Sequence, residues 1–368
     1  MRPPQIVVLV FLALVLTGGL LYADHYLTGK MTTDDDFDSL SASDLHQTAT
    51  EADGRLEREE RFSEALSGLE EQLADLPSFT EVDRYLLSNN DIPAEALAKL
   101  DTGKAPRSSY LSSDASKIQV FVLFGLDGVD SSDSVMLVAL DRVHQKIKLI
   151  SLARDSYVFI PEFASFSKLA YSYTWGGAAM AVKNLNYNYY LNVSDYIAVD
   201  FDQLAQIIDR IGGVTVNIDE DEARYLSNYP NVHVGDCLLD GETAVSYARI
   251  RKSSATDSDR KRTGRQREVI LSILNTLQTM PLSQYPGFVR DCLGMCATSF
   301  EAETLLTMAA ETLGQNYTVE QYFFPEGQVD WWAGLIKEYF YYVYDLRRAS
   351  DRIYRIIYEE LYISGYDD

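Results

Sequence analysis

The 368-residue chain predicts an α/β sandwich built on one central sheet and carried behind a membrane-spanning N-terminus. Two patterns predict the sandwich. Apolar runs rich in Val, Ile and Phe recur from residue 118 onward, as expected of strands buried on both faces. Amphipathic helical stretches are interspersed with those runs over about 200 residues, as α/β architectures require. A third observation predicts the anchor: residues 6–23 (IVVLVFLALVLTGGLLYA) carry no charge.

At a rise of ~1.5 Å per residue that run reaches nearly across a bilayer core of ~30 Å. Arg2 precedes it, while Asp24, Lys30, Asp34, Asp35, Asp36 and Asp38 follow. The positive-inside rule then puts residues 1–5 in the cytoplasm and the rest of the chain outside, as a single-pass protein of the cell membrane. No small-x-small site follows the run, so an uncleaved anchor is preferred to a signal peptide. Residues 24–116 are expected to be a stalk and helical linker. Residues 31–60 are acidic and poor in apolar side chains, as a flexible stalk would be. Phe62, Leu66, Leu69, Leu73 and Leu76 have helical spacing, and one or two helices are expected between 61 and 100, ending near Pro93. Residues 101–116 are turn-rich and read as a linker.

The main domain is expected over 117–368. Ile118–Leu126 reads as a buried strand, and residues 134–140 and 146–152 as two more joined by a short turn. A helix is predicted over 178–185 and a strand over 196–199. An amphipathic helix over 201–211 is stopped by Gly212-Gly213, and a strand follows at 214–218. Helices are predicted over 241–247 and 260–280, the second with Asp259 as N-cap and Pro281 beyond its end. Helices are expected over 301–368, where aromatic residues crowd around 339–344; these are expected to pack rather than face a membrane.

Composition narrows the function. The net charge is −23, so a duplex nucleic acid, bound by neutralising its phosphates, is a poor partner. Three cysteines (Cys237, Cys292, Cys296) and four scattered histidines (His25, His46, His144, His233) do not compose a zinc site. Phosphate-loop, zinc-protease and nucleophile-elbow motifs are absent.

Basic residues nevertheless cluster. Arg249, Arg251, Lys252, Arg260, Lys261, Arg262, Arg265 and Arg267 fall within 19 positions. On an extended backbone Arg249 and Arg251 would share a face. Arg262, Arg265 and Gln266 have i, i+3, i+4 spacing, and the face through Arg262 and Gln266 continues into Ile270, Ile273 and Leu277, so it points inward. An inward Arg needs an anion. Spacing alone favours a carboxylate partner, such as Asp155 or Asp259, over a phosphate held bidentately. Asp127 and Asp133 flank a turn after the first buried strand, where ligands of α/β sheets collect, and could hold Mg²⁺; on these residues alone a plain Asp/Gly/Ser turn is the better reading. Arg154-Asp155 closes the third strand, as a site or as an ion pair. Lys168 lies in a Tyr- and Gly-rich stretch and on its own reads as a surface lysine.

Taken in order, these segments resemble the LytR-CpsA-Psr family. The resemblance runs through GLD at 125–127, SD at 132–133, ISLARDSYVFIP at 150–161 and KLAYSYTWGG at 168–177. It continues through DYIAVDF at 195–201, IGGV at 211–214, LDGETAVSYARIR at 239–251 and D-x-x-R-x-x-R-Q at 259–266. It covers about residues 118–280, with a weaker tail to 365. It implies a three-layer α-β-α sandwich around a central mixed sheet. It also implies an extracytoplasmic phosphotransferase that moves a glycopolymer phosphate from a polyprenyl-pyrophosphate carrier to a hydroxyl of peptidoglycan. Asp127 and Asp133 match the carboxylates associated with Mg²⁺, for which Mn²⁺ could substitute. Arg154, Lys168, Arg249, Arg251, Arg262, Arg265 and Gln266 match the pyrophosphate-binding set. Asp127 or Asp155 would take the acceptor proton. Val138, Leu140, Ile270, Ile273 and Leu274 would line a lipid tunnel, or be core. Ser132 stands where the family usually has Arg, Ala153 where it has Pro and Ala170 where it has Asn; Lys183 is a candidate to replace the missing cation. A hydrolase on the same site, or a lipid-pyrophosphate-binding scaffold, are the alternatives.

Overall fold

A computed structural model describes residues 82–104, 107–111, 113–126, 132–250, 255–279, 296–300, 304, 308, 317–325 and 329–364. The predicted anchor, the stalk and the helical spacing of 61–81 lie outside them. In chain order the strands are β1 (Arg107–Leu111), β2 (Ile118–Leu126), β3 (Ser132–Asp141), β4 (Lys146–Leu152), β5 (Tyr157–Ile160), β6 (Ser165–Lys168), β7 (Asp195–Asp200), β8 (Val214–Ile218), β9 (Gly235–Leu239), β10 (Ala297–Thr298), β11 (Thr318–Phe324), β12 (Trp331–Ile336), β13 (Tyr339–Tyr344) and β14 (Tyr362–Ser364). The helices are α1 (Ala94–Leu97), α2 (Tyr171–Tyr189), α3 (Phe201–Arg210), α4 (Glu220–Tyr225), α5 (Gly241–Arg249), α6 (Ala255–Thr279) and α7 (Leu346–Tyr358).

The chain divides into two compact units, with β2 contributing to both. One holds the described residues up to 122, 132–194 and 321–364. Its sheet runs β2-β3-β4-β11. β3 and β4 are antiparallel, with Val138 opposite Leu149, and their side chains are almost all buried. α2 and α7 pack on these strands and on each other. The burial follows from the sequence: β3 carries a continuous apolar run from Val135 to Leu140, as a sheet covered on both faces requires, while β4 (KIKLISL) buries Lys148 and Ser151 among its apolar residues.

The second core of this unit corrects the reading of the linker. Residues 82–100 carry a short 3-10 turn (Asp83–Tyr85) and α1, and Pro93 opens α1 rather than ending a helix. Leu87, Ile92 and Ala96 are buried with Tyr157, Ile336, Tyr341 and Val343 of β5, β12 and β13. Leu87 and Phe166 exchange both backbone hydrogen bonds, at 2.7 and 2.9 Å. The segment is thus part of the fold. Likewise 101–116 contains β1, which pairs with β14. The aromatic stretch expected among helices is β13, antiparallel to β12, and Tyr341–Tyr344 are buried, as packing requires.

The other unit holds 123–126 and 195–320, with strand order β10-β7-β2 and a β8-β9 hairpin. Its helix ends are written in local chemistry. Asp200 and Asp219 form capping boxes with Gln203 and Glu222, and Asp240 caps α5 by accepting from the Thr243 N–H at 2.9 Å. Gly212 and Gly213, at φ 84° and 99°, close α3 with bonds to Asp209 and Ile208. Gly241 lets α5 lie against α3: a Cβ there would stand 2.0 Å from the Ala205 carbonyl oxygen. α6 begins at Ala255, so Asp259 is inside it and is not its N-cap.

Candidate functional site

Four of the predicted residues meet in the first unit as a ladder of alternating charge. Asp133 opens β3, Arg154 and Asp155 follow β4, and Lys168 ends β6. Arg154 donates to Asp133 Oδ1, and its Nε lies 3.7 Å from Asp155 Oδ2. Lys168 Nζ donates to Asp155 Oδ1 at 2.6 Å. Asp133 and Asp155 are buried, and the two cations are half-buried. Desolvated charges of this kind persist only when paired. The ion-pair reading of Arg154-Asp155 is therefore correct but partial: each residue has a second partner of opposite sign.

The backbone holds the ladder from several sides. The Ala170 N–H donates to the Arg154 carbonyl at 3.0 Å, and the Tyr342 N–H to the Asp155 carbonyl at 2.9 Å. Ser156 Oγ donates to the Ala153 carbonyl at 2.6 Å and meets Tyr344 Oη at 2.9 Å; Tyr344 Oη in turn bonds Tyr189 Oη. Burial pushes both phenols well above their ordinary range, so they stay protonated as donors. Sequence reasoning missed this hydroxyl chain, because its members come from a turn, α2 and β13.

Lys168 is not the surface lysine its local sequence suggests. Its ammonium lies 5.3, 5.8 and 6.0 Å from the ring centroids of Tyr341, Tyr339 and Tyr171. Burial, with Tyr85 and Tyr339 adding to it, pushes the Tyr171 phenol up to about 12. α2 is broken at Gly176 and Gly177 (φ 63°), which separates the turn carrying Tyr171 and Trp175 from the regular helix that follows.

Ser132 is buried and donates to the Ala170 carbonyl at 3.4 Å. Lys183 does not replace the missing arginine there. Its ammonium is 3.0 Å from Glu162 Oε1, and the two side chains are 8% and 1% exposed.

The remaining predicted cations belong to the other unit. Arg249 ends α5 on the surface, its guanidinium 4.7 Å from the centroid of Phe201. Arg249 is the last residue of a helix rather than part of a strand. Arg262, Arg265 and Gln266 are all buried, as the inward face of α6 predicts, and the stripe continues through Val269, Ser272 and Ile273. Arg265 is claimed by a carboxylate that the sequence reading did not name. Its Nη1 donates to Glu222 Oε1 at 3.1 Å, and its Nη2 to the Ile250 carbonyl. The D-x-x-E capping box announces α4, but nothing local announces that its Glu also receives an arginine. Asp127 and Arg251 lie outside the described residues.

Among the described residues one His/Asp/Glu group has metal-like spacing: Asp141, His144 and Glu359. Lys148 Nζ lies 2.8 Å from both carboxylates and Lys146 Nζ 2.8 Å from Glu359, so ammonium groups already neutralise it. Asp133 offers a hard oxygen donor of the kind Mg²⁺ takes, with one oxygen engaged by Arg154. By donor type Asp133 is compatible with that metal.

A model of the LytR-CpsA-Psr (LytR_cpsA_psr) family matches residues 90–353. The chain is 29% identical over 230 residues to the polyisoprenyl-teichoic acid–peptidoglycan teichoic acid transferase TagU of Oceanobacillus iheyensis, covering 60% of this chain and 69% of that one. It is 24% identical to the TagU of Halalkalibacterium halodurans, covering 64% and 80%. Among solved structures, the LytR-CPS2A-psr family protein YwtF (TagT) with bound octaprenyl pyrophosphate lipid matches with a TM-score of 0.53 and 17% identity, over 70% of this chain and 98% of that one. At that identity the likeness is one of fold.

Proposed function

The chain belongs to the LytR-CpsA-Psr family, and from that premise we propose that it is a phosphotransferase joining a teichoic-acid-type glycopolymer to peptidoglycan. The donor is a polyprenyl-pyrophosphate-linked glycan. A peptidoglycan hydroxyl oxygen attacks the glycan-bearing phosphorus, the bond to polyprenyl phosphate breaks, and the hydroxyl proton passes to a carboxylate. The named relatives carry this activity in their names.

The observation that carries the reading is the Asp133–Arg154–Asp155–Lys168 ladder. Phosphoryl transfer asks a protein mainly for charge neutralisation and positioning. Arg154 and Lys168 supply fixed cations whose donors are already desolvated and need little reorganisation. Arg154 presents a planar fork suited to phosphate oxygens, Lys168 a point charge. Asp155, or Asp127, would accept the acceptor proton. Asp127 and Asp133 are the residues that would hold Mg²⁺. A metal held there would supply neutralisation of charge developing on phosphate oxygens. In the other unit, exposed Arg249 is assigned to pyrophosphate by motif, with Arg251, Arg262 and Gln266. Arg265 belongs to the same motif set, with its Nη atoms held by Glu222 and the Ile250 carbonyl and its buried Nε without a partner, and we assign it the positioning of α6. Residues 6–23 anchor the protein so that this domain lies outside the cell.

The test incubates the full chain in detergent with a polyprenyl-pyrophosphate saccharide, peptidoglycan fragments and Mg²⁺, and seeks the phosphodiester conjugate by mass spectrometry. Conjugate formed by the wild type and lost in Arg154→Ala and Arg249→Ala supports the transferase. Saccharide phosphate without conjugate would replace it with a hydrolase, and bound but unconverted lipid with a scaffold.

A further inference from the structure

Beside the charged ladder the first unit carries a run of aromatic rings that the transfer chemistry does not use. From Tyr339 the centroids step 5.7 Å to Tyr85, 5.0 Å to Tyr171, 5.3 Å to Trp175 and 5.2 Å to Phe163. The rings come from β13, the 82–100 segment, the turn before the glycine break of α2 and the turn after β5. Tyr85, Tyr171, Tyr339 and Phe163 are each partly exposed, and Trp175 is buried beneath them. Tyr85 is fixed in place: its carbonyl accepts from Ser167 Oγ at 2.7 Å, two residues from the Leu87–Phe166 backbone pair.

We propose that this track is a saccharide subsite for the acceptor, seating pyranose rings of the peptidoglycan glycan strand beside Asp155. It rests on the transferase reading and adds where the acceptor lies. The chemistry points to sugar. The line is aromatic throughout, and three of its rings end in phenolic hydroxyls. Flat π-faces with polar rims suit a ligand that has apolar C–H faces and hydroxyl edges. A hydrocarbon chain would cover those polar rims without offering them a hydrogen bond. Continuity with the ladder favours the acceptor over the donor glycan. Lys168 touches the rings of Tyr339, Tyr341 and Tyr171 while it holds Asp155 Oδ1, so a sugar on Tyr171 stands next to a carboxylate assigned its proton. Tyr85 then explains why the segment before the main domain is folded into it.

The test titrates the full chain in detergent with a β-1,4-linked N-acetylhexosamine tetramer, a phosphate-free stand-in for the acceptor, by calorimetry. Tyr85→Ala and Tyr339→Ala should each weaken binding about tenfold, equivalent to about 1.4 kcal/mol, while Tyr85→Phe, which keeps the ring and loses only the hydroxyl, should weaken it by less. Affinity for saccharide-free polyprenyl pyrophosphate should be unchanged in all three. Two outcomes overturn the proposal: a tetramer affinity indifferent to Tyr85 and Tyr339, or alanine variants that lose the lipid-linked saccharide but not the tetramer. The transferase reading fails separately, when wild type cannot bind polyprenyl pyrophosphate.

Discussion

Glu222 is the residue whose substitution best separates structure from substrate binding around α6. Its Oε2 accepts from the Asp219 N–H at 3.0 Å and closes the capping box of α4, while its Oε1 accepts from Arg265 at 3.1 Å. Both partners are buried, Glu222 at 6% and Arg265 at 4% exposure. Removing one member of such a pair leaves an uncompensated charge and costs about 3–5 kcal/mol. Glu222→Ala also forfeits half of a capping box, worth about 1 kcal/mol. Glu222→Gln keeps an amide oxygen for the box and loses only the charge, so it should cost less than the alanine. Arg265→Met should cost about as much as Glu222→Gln. The double substitution Glu222→Gln with Arg265→Met should recover most of the loss, since no buried charge is then left alone. Urea denaturation of the four proteins followed by circular dichroism measures this cycle. A strut predicts a coupling of 2 kcal/mol or more, by the same estimate. Arg265→Met with near-normal stability and no binding of polyprenyl pyrophosphate would refute the reasoning and make Arg265 a ligand.

Arg154→Ala should lower conjugate formation about a hundredfold, the scale of losing one preorganised electrostatic donor, with Arg154→Lys intermediate because the planar fork is gone; initial rates by mass spectrometry decide it. Chelator in excess should suppress turnover and Mg²⁺ restore it, and a rate indifferent to both would remove the metal from the proposal. Gly241→Ala should destabilise by at least about 2–3 kcal/mol, because its Cβ meets the Ala205 backbone and α3 must move; thermal melts read it. Lys148→Met should be strongly destabilising at pH 7, and less so in acid. Burial alone would raise Asp141 and Glu359, but Lys148, with His144 and Lys146, outweighs it and holds both below their ordinary values. The stability they supply is complete above about pH 5 and fades as pH falls through their folded values. The melting-point gap between wild type and Lys148→Met should therefore narrow between pH 7 and pH 3.

Much of this molecule was legible along the chain because its signals are local. β2, β4 and β8 occupy the predicted residues, since continuous or alternating apolar runs specify buried strands without reference to anything distant. α3 starts at its Asp200 cap and stops at Gly212-Gly213 for reasons contained within a dozen residues. The inward face of α6 followed from helical spacing, and its burial agrees. Tertiary structure decided what those faces and strand ends meet. Pairing Arg154 with Asp133, Lys168 with Asp155 and the rings of Tyr339 and Tyr341, and Arg265 with Glu222 depends on contacts between segments 13 to 173 positions apart. Residues 82–100 read as part of the helical linker because nothing local says what their apolar side chains pack against, and Leu87, Ile92 and Ala96 are buried only once β5, β12 and β13 form a surface to receive them. The aromatic run at 339–344 could equally have been a helix face, until pairing with β12 made it a strand. Composition and local pattern determined the elements and the chemistry at hand, while desolvation and the choice of partner, which depend on what the fold brings within a few ångströms, were left to the tertiary structure.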